Sequence, residues 1–408
     1  MAPARDDDGD DVYVHRGNRT LPVAVLQDAP ANLAIGVEFK FLVPFLLAGS
    51  VDPCPGDDRP IAYTSHAGSQ DRLQDQAYKL ITDILRTSAK QPAISISDIK
   101  AQGWQESDFW TDHWIVKKSN SAEPGPEEQE LAGCLWASLE ISSPKLPALD
   151  PRTLSVLRTV VRALNRHCRI TVNYSCEIHV HLGRTDGEAF SLTSLKNLAS
   201  LCWLTEPTLR LLKDPSSPNF NHIYTWSSPL REHSRLAKSL AKRDFTGRRK
   251  RAGALMDMEE MMALTAIFNA SDYVALGRLL SGDTKPFRRL GFNFSAFGLE
   301  DERAGRSPRS VEVRFLEGYW GEDEVLGWVE VCIALAVVAV EEPKDRLFRL
   351  VTRLTRLEGT EGRLNGGAQH PAADVDLPGE RLAVLMTLLS IRPEVIATFR
   401  AKADKIYG

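Results

Sequence analysis

The stretch Ala34-Ile35-Gly36-Val37-Glu38-Phe39-Lys40-Phe41-Leu42 alternates in character residue by residue. A period of two is the signature of a strand, so Ile35, Val37, Phe39 and Phe41 share one face. Gly36, Glu38 and Lys40 then share the other. Two opposite charges at i and i+2 in apolar surroundings are costly unless they meet partners or do chemistry. Glu38 and Lys40 therefore call for partner strands elsewhere in the chain.

Three such segments follow. Cys134 to Ile141 reads as a strand carrying Glu140, just before the turn Ser142-Ser143-Pro144. Cys176 to Gly183 reads as a strand with His179 and His181 on one face, where two imidazoles can share a metal or a phosphate. Ser310 to Glu317 reads as a strand with Glu312 and Arg314 on one face. A carboxylate suits a hard cation such as Mg2+, and a guanidinium grips phosphate oxygens in pairs. Taken singly, H-x-H also occurs in structural roles, and E-x-R is commonly a surface ion pair. The combination on four strands points to a site.

Between these strands the chain reads mostly as helix. Ser69 to Thr87 and Pro151 to about Arg166, the latter capped by Asp150, have helical spacing. Ser191 to Leu212 and Glu322 to Glu341 are strongly apolar helices, and two or three more follow. Residues 47–66 and 119–128 read as loops, His113 to Lys117 and Leu290 to Phe297 as further strands, and residues 232–285 as short helices around a basic run. Strands and helices do not alternate as in a doubly wound fold. The expected class is α+β: a mainly antiparallel sheet carrying the active site, with helical insertions and a helical C-terminal tail. The expected division is a flexible arm over residues 1–30, a catalytic domain over 31–340 and a helical extension over 341–408.

Global properties exclude several classes. A net charge of -4 argues against a general nucleic-acid binder. The acidic N-terminus lacks the apolar core of a secretory signal, and no charge-free apolar run is long enough to span a membrane. A cytoplasmic protein is expected. The six cysteines form no C-x-x-C pair and sit mostly among apolar residues, so neither a structural zinc nor a disulfide framework is expected. Trp104, Trp110 and Trp114 are read as core before adenine stacking. Arg248-Arg249-Lys250-Arg251 is read as a solvated segment before a localisation signal or phosphate lid. Glu206, in an apolar helix, needs a partner such as Arg210.

In order along the chain, Gly36 and Glu38, then Glu140, Ser143 and Pro144, then His179 and His181, then Glu312, Arg314, Glu317 and Gly318, with Asn293 and Trp328, resemble the fungal amidoligase family. That family is similar in fold to glutamine synthetase and glutamate–cysteine ligase. The resemblance, over roughly residues 33–340, implies an ATP-dependent ligase that joins a small-molecule or peptide carboxylate to an amine through an acyl phosphate. It implies Mg2+, or Mn2+, held by Glu38, His179 and Glu312. Arg314, Glu140, Lys40 and Glu317 take catalytic roles in this reading, and Arg314, Asn293 and His181 contact the nucleotide. His181 supports the ion rather than binding it.

The chain also departs from the family pattern. Lys40 stands where the family has a second acid that helps hold a second cation. Glu177 stands where a glycine is usual. Phe315 and Leu316 stand in the middle of the late strand, where relatives usually have a Gln and a His, and Trp114 to Ser119 lacks an expected aspartate. Three readings stay open: a ligase with one metal, in which Lys40 replaces the charge of the other; a nucleotide-binding or regulatory relative that does not turn over; or a site reshaped for another reaction. Outside the resemblance, an H-x-H strand with a distant Glu also fits a metal-dependent oxygenase or hydrolase built on a double-sheet barrel. The sequence leaves the oligomeric state unknown.

Overall fold

The computed structural model describes residues 28–65, 68–218, 220, 228–242, 258–284, 289–298, 309–318, 320–341, 350–354 and 377–408. Nine strands form one open sheet in the order β3-β4-β5-β1-β7-β9-β8, with β2 and β6 paired to the two ends of β1. The strands are β1 Leu33–Leu47, β2 Ala62–Thr64, β3 Ala93–Ser95, β4 Trp114–Lys118, β5 Cys134–Ser142, β6 Leu146–Pro147, β7 Glu177–Arg184, β8 Phe292–Asn293 and β9 Val311–Glu317. All pairings are antiparallel except β1 with β2 and β3 with β4. The fold is the expected α+β class. Among the described residues the sheet is open and does not close into a barrel.

β1 is the spine. It runs longer than its alternating stretch because its far end, through Leu46, is buried on both faces. Ile35, Val37, Phe39, Phe41, Val43 and Phe45 enter one continuous core with the helices Gln70–Thr87, Pro151–His167 and Glu322–Glu341. Each such side chain contributes about 2 kcal/mol of burial. Trp114 stacks on Phe39 at 6.3 Å, 8° from parallel, so it is core as expected. Trp104 is instead 46% exposed and leans on Phe109.

The helix Leu192–Leu209 lies behind Glu322–Glu341, tied to it by Asn197 Nδ2 donating to Ala339 O at 3.0 Å. The C-terminal helices Pro378–Leu388 and Pro393–Tyr407 add Leu382, Leu385, Val395 and Phe399 to the same core. Gly327 makes room for them, because a Cβ there would sit 2.9 Å from Phe399. All six cysteines are free. Among the described residues no helix is long and apolar enough to cross a membrane.

Several local expectations are corrected. The strand read over Leu290 to Phe297 is only Phe292–Asn293. Asn293 Oδ1 accepts from Ser295 N at 2.9 Å, and this local turn ends the ladder and leads into a 3-10 turn over Ser295–Phe297. The loop read over 47–66 contains β2, and the loop over 119–128 leads into a short helix, Pro126–Gln129. β3 and the helix Ile96–Ala101, capped by Ser95, carried too few residues to show a period. The basic run 248–251 and most of the arm over 1–30 lie outside the described residues. At the arm's end, Asp28 pairs with Arg184 and accepts from Ser191 N at 2.7 Å.

Glu206 does have partners, but they are backbone groups. Its two oxygens accept from Leu230 N at 2.6 Å and Arg231 N at 2.8 Å. Burial pushes its carboxyl up to about 7, against the opposing pull of those two hydrogen bonds. An unfolded Glu titrates at about 4.3. Between these values the folded chain binds more protons than the unfolded one, so Glu206 makes stability fall as pH rises through this window. The cost is complete above pH ~7 and amounts to about 3 kcal/mol. The stability difference between wild type and Glu206→Gln, followed by urea denaturation, should therefore drop by about that amount from pH ~4.5 to ~7. A pH-independent difference would contradict this.

Candidate active site

The face of the sheet opposite the helices carries a grid of polar side chains, and the strand register sets its rows. Glu38 lies between Ser142 on β5 and His179 on β7. Gly36 lies beside His181, which pairs with Glu312 on β9, and Glu312 pairs with Asn293 on β8. Lys40 lies beside Glu140, which pairs with Lys117 on β4. Because side chains alternate, the acids and bases spaced by two on each strand all arrive on one face.

The turn Ser142-Ser143-Pro144 serves this grid. Ser143 Oγ accepts from Val37 N at 2.9 Å and donates to Pro144 O at 2.8 Å, and Ser143 N donates to Val37 O at 2.8 Å. The serine thus continues the ladder of β1 where β5 bends away, holding the backbone next to Glu38.

Glu38, His181 and Glu312 each offer a ligand atom, and the three atoms lie within 4.8 Å of one another. His181 Nε2 is 3.4 Å from Glu38 Oε1 and 3.9 Å from Glu312 Oε1, while its Nδ1 is 3.2 Å from Ser310 Oγ. Ser310 therefore fixes the ring and leaves Nε2 turned toward the two acids, a common arrangement for a ligating histidine. Two carboxylates and one imidazole suit a divalent cation and leave other coordination positions open. Glu312 is itself held by Asn293 Nδ2, which donates to Oε2 at 2.8 Å, and by Arg314 on Oε1.

His179 sits deeper, at 1% exposure. Its Nδ1 is 3.0 Å from both Glu38 Oε2 and Glu312 Oε1, and its Nε2 is 2.8 Å from Glu177 Oε2. Burial and the charges of Arg314 and Lys40 push its pKa down, but hydrogen bonds to Glu177 and Glu312 prevail and bring it to about 9. Both of its ring nitrogens are thus engaged by carboxylates. Burial opposes ionisation of Glu177, yet the bond from His179 and the nearby cations bring it to about 2. Glu38 and Glu312 are likewise held well below the usual carboxylate range, against their burial, by the two histidines and, for Glu312, first by Arg314.

Lys40 is 7% exposed. Its Nζ lies 3.9 Å from Glu140 Oε2, 3.9 Å from Glu177 Oε2 and 3.1 Å from Ser121 Oγ. His179 Nε2 is 3.4 Å away. Glu140 also meets Lys117 at 3.4 Å, and Lys117 meets Glu106 at 2.8 Å. Lys40 thus sits between two buried acids, in the manner of a bound cation. On this face the carboxylates of Glu106, Glu140, Glu177 and Glu312 meet the cations Lys40, Lys117 and Arg314.

The structure therefore brings together Glu38, Lys40, Glu140, His179, His181, Asn293, Glu312 and Arg314. Glu317 pairs with Glu177 through the backbone, and its side chain lies outside the description. Ser121, Ser310, Lys117 and Glu106 were not anticipated. Glu177 was noted only as a departure, although its i, i+2 spacing from His179 signals a shared face.

These features define an open antiparallel α+β sheet with an acid–histidine face. Residues 64–252 match the model of a family described as "putative amidoligase enzyme". The match supports a ligase-type function of the amidoligase kind. It takes in Glu140, Glu177, His179 and His181 and leaves β1 and β9 outside. The chain matches none of the curated proteins with which it was compared.

Replacing Lys40 with Met should cost about 3 kcal/mol, because Glu140 and Glu177 lose the charge between them. Lys40→Arg should recover most of it. Urea denaturation in EDTA measures both, and a Lys40→Met variant as stable as wild type would show that Lys40 does not neutralise this pair.

Proposed function

We propose that the protein is an ATP-dependent carboxylate–amine ligase that works with one divalent cation. The observation that carries this reading is the convergence of Glu38, His181 and Glu312 on an open sheet face, backed by Arg314 and by Lys40. In the reaction, a substrate carboxylate oxygen attacks the γ-phosphorus of ATP and ADP leaves. An amine nitrogen then attacks the acyl carbon, phosphate leaves, and the nitrogen gives up a proton. Such chemistry depends mainly on positioning and charge neutralisation.

Glu38, His181 and Glu312 would hold Mg2+ or Mn2+, which when bound neutralises phosphate oxygens. This exchanges the roles first expected for the two histidines: His179 becomes the buried bridge that orients Glu38 and Glu312. Arg314 fixes Glu312 and presents positive charge to the transferred group. Asn293 holds the other oxygen of Glu312. Lys40 supplies a permanent charge between Glu140 and Glu177, which supports one cation rather than two. The substrates are a small-molecule or peptide carboxylate and an amine, and the setting proposed is the cytoplasm.

Full-length protein with Mg-ATP and a panel of carboxylates and amines should release ADP only when a productive pair is present. Glu38→Gln should lower that rate by roughly 100-fold or more. Tight ATP binding with no ADP for any pair would favour the non-catalytic relative. Iron or zinc bound at stoichiometry, without nucleotide binding, would favour the oxygenase or hydrolase reading. In a second test, free Mn2+ followed by EPR should titrate one site in wild type, and Lys40→Glu should add a second. An unchanged count in Lys40→Glu would sink the idea that the lysine stands in for a cation.

A further inference from the structure

A cleft of about 170 Å3 opens beside Glu38 and His181. Its floor is Ala34, Gly36 and Gly183, neighbours in the sheet because Ala34 pairs with Gly183 and Gly36 with His181. The floor is nearly free of side chains. A Cβ on Gly36 would meet only His181 Cβ, at 3.7 Å, and one on Gly183 would meet Ser310 Cβ at 3.5 Å and Arg309 O at 3.9 Å. These are ordinary contacts, so packing does not require glycine at either position.

One end of the cleft is the Glu38–His181 edge of the candidate cation site. The other end is Lys145. This residue precedes β6, on one side of β1, and its backbone N donates to Trp110 O at 2.8 Å. Its side chain crosses β1 to the turn after β7, where Nζ lies 3.5 Å from Thr185 O and beside Gly187. No carboxylate lies within ion-pair distance of Lys145 among the described residues. The other charges lining the cleft are matched: Glu106 pairs with Lys117, Glu188 with Arg309, and Arg184 with Asp28 and Asp186.

The trough from Ala34 to Glu38 spans four strand residues, or about 13 Å of backbone. Its volume is below the roughly 300 Å3 at which pockets for drug-sized ligands begin, so a compact ligand fills it better than a nucleoside triphosphate does. With a cation site at one end and an ammonium at the other, complementarity favours negative charge at both ends of that ligand.

We propose that this cleft is the subsite for the carboxylate substrate, and that it selects a compact dianion. One carboxylate faces the Glu38–His181–Glu312 site, Lys145 grips the second anionic group, and the bare floor sets the size limit. The assignment rests on the ligase reading for its catalytic meaning, but its binding test does not.

The test is calorimetric titration of full-length protein in Mn2+ with succinate, glutarate and adipate, against butyrate as monoanion. The best dicarboxylate should bind roughly 10-fold more tightly than butyrate, and Lys145→Met should shrink that preference to about 2-fold or less. Gly183→Ala should weaken the dicarboxylate at least roughly 5-fold without changing Mn2+ affinity. ATP should not compete with the dicarboxylate. Equal binding of butyrate, a preference that survives Lys145→Met, or competition by ATP would each overturn the assignment. ADP release that never appears would sink the ligase reading and leave a positive titration standing. A negative titration with ADP release intact would sink the cleft assignment alone.

Discussion

Carboxylates collected on the inner strands of a sheet must be neutralised where they lie, and the site is organised by how this chain does so. Glu38, Glu140, Glu177 and Glu312 each lie within 3.9 Å of His179, Lys40, Lys117 or Arg314. Removing one partner from such a network leaves an uncompensated buried charge, which costs several kcal/mol. The network therefore fixes positions as well as charge. His179 links acids from β1, β7 and β9, so three strands contribute to one geometry.

That linkage separates two parts of the face. Toward the middle of β1, the cluster of Lys40, Glu140, Glu177 and His179 is internally paired and nearly closed to solvent. Toward its start, Glu38, His181 and Glu312 keep ligand atoms turned to one another, and His181 remains partly exposed. The cleft over Ala34, Gly36 and Gly183 adjoins the second part.

Much of this arrangement was legible in the amino-acid order. Alternation around Glu38, His179 and Glu312 revealed the three central strands, because their faces differ sharply in polarity. Period two also put His179 and His181 on one face, but it could not rank them. Their depth depends on register: His179 is opposite Glu38 and flanked by Glu177, whereas His181 is opposite Gly36, which leaves space. Register also gave Lys40 its partners, since Glu140 and Glu177 are 100 and 137 residues away. β2 and β3 were missed because three residues carry no period. The strand over 290–297 was read too long because Asn293 bonds its own backbone and turns the chain.

The central claim is that the cation site is made by Glu38, His181 and Glu312, with His179 and Lys40 as its internal support. Crystals soaked with Mn2+ and a non-hydrolysable ATP analogue test it most directly, through anomalous scattering at the manganese edge. One manganese peak is expected on this face, bonded to Glu38, Glu312 and His181 Nε2, with Lys40 still between Glu140 and Glu177. A peak bonded to His179, a second peak beside Lys40, or no peak on this face would contradict it.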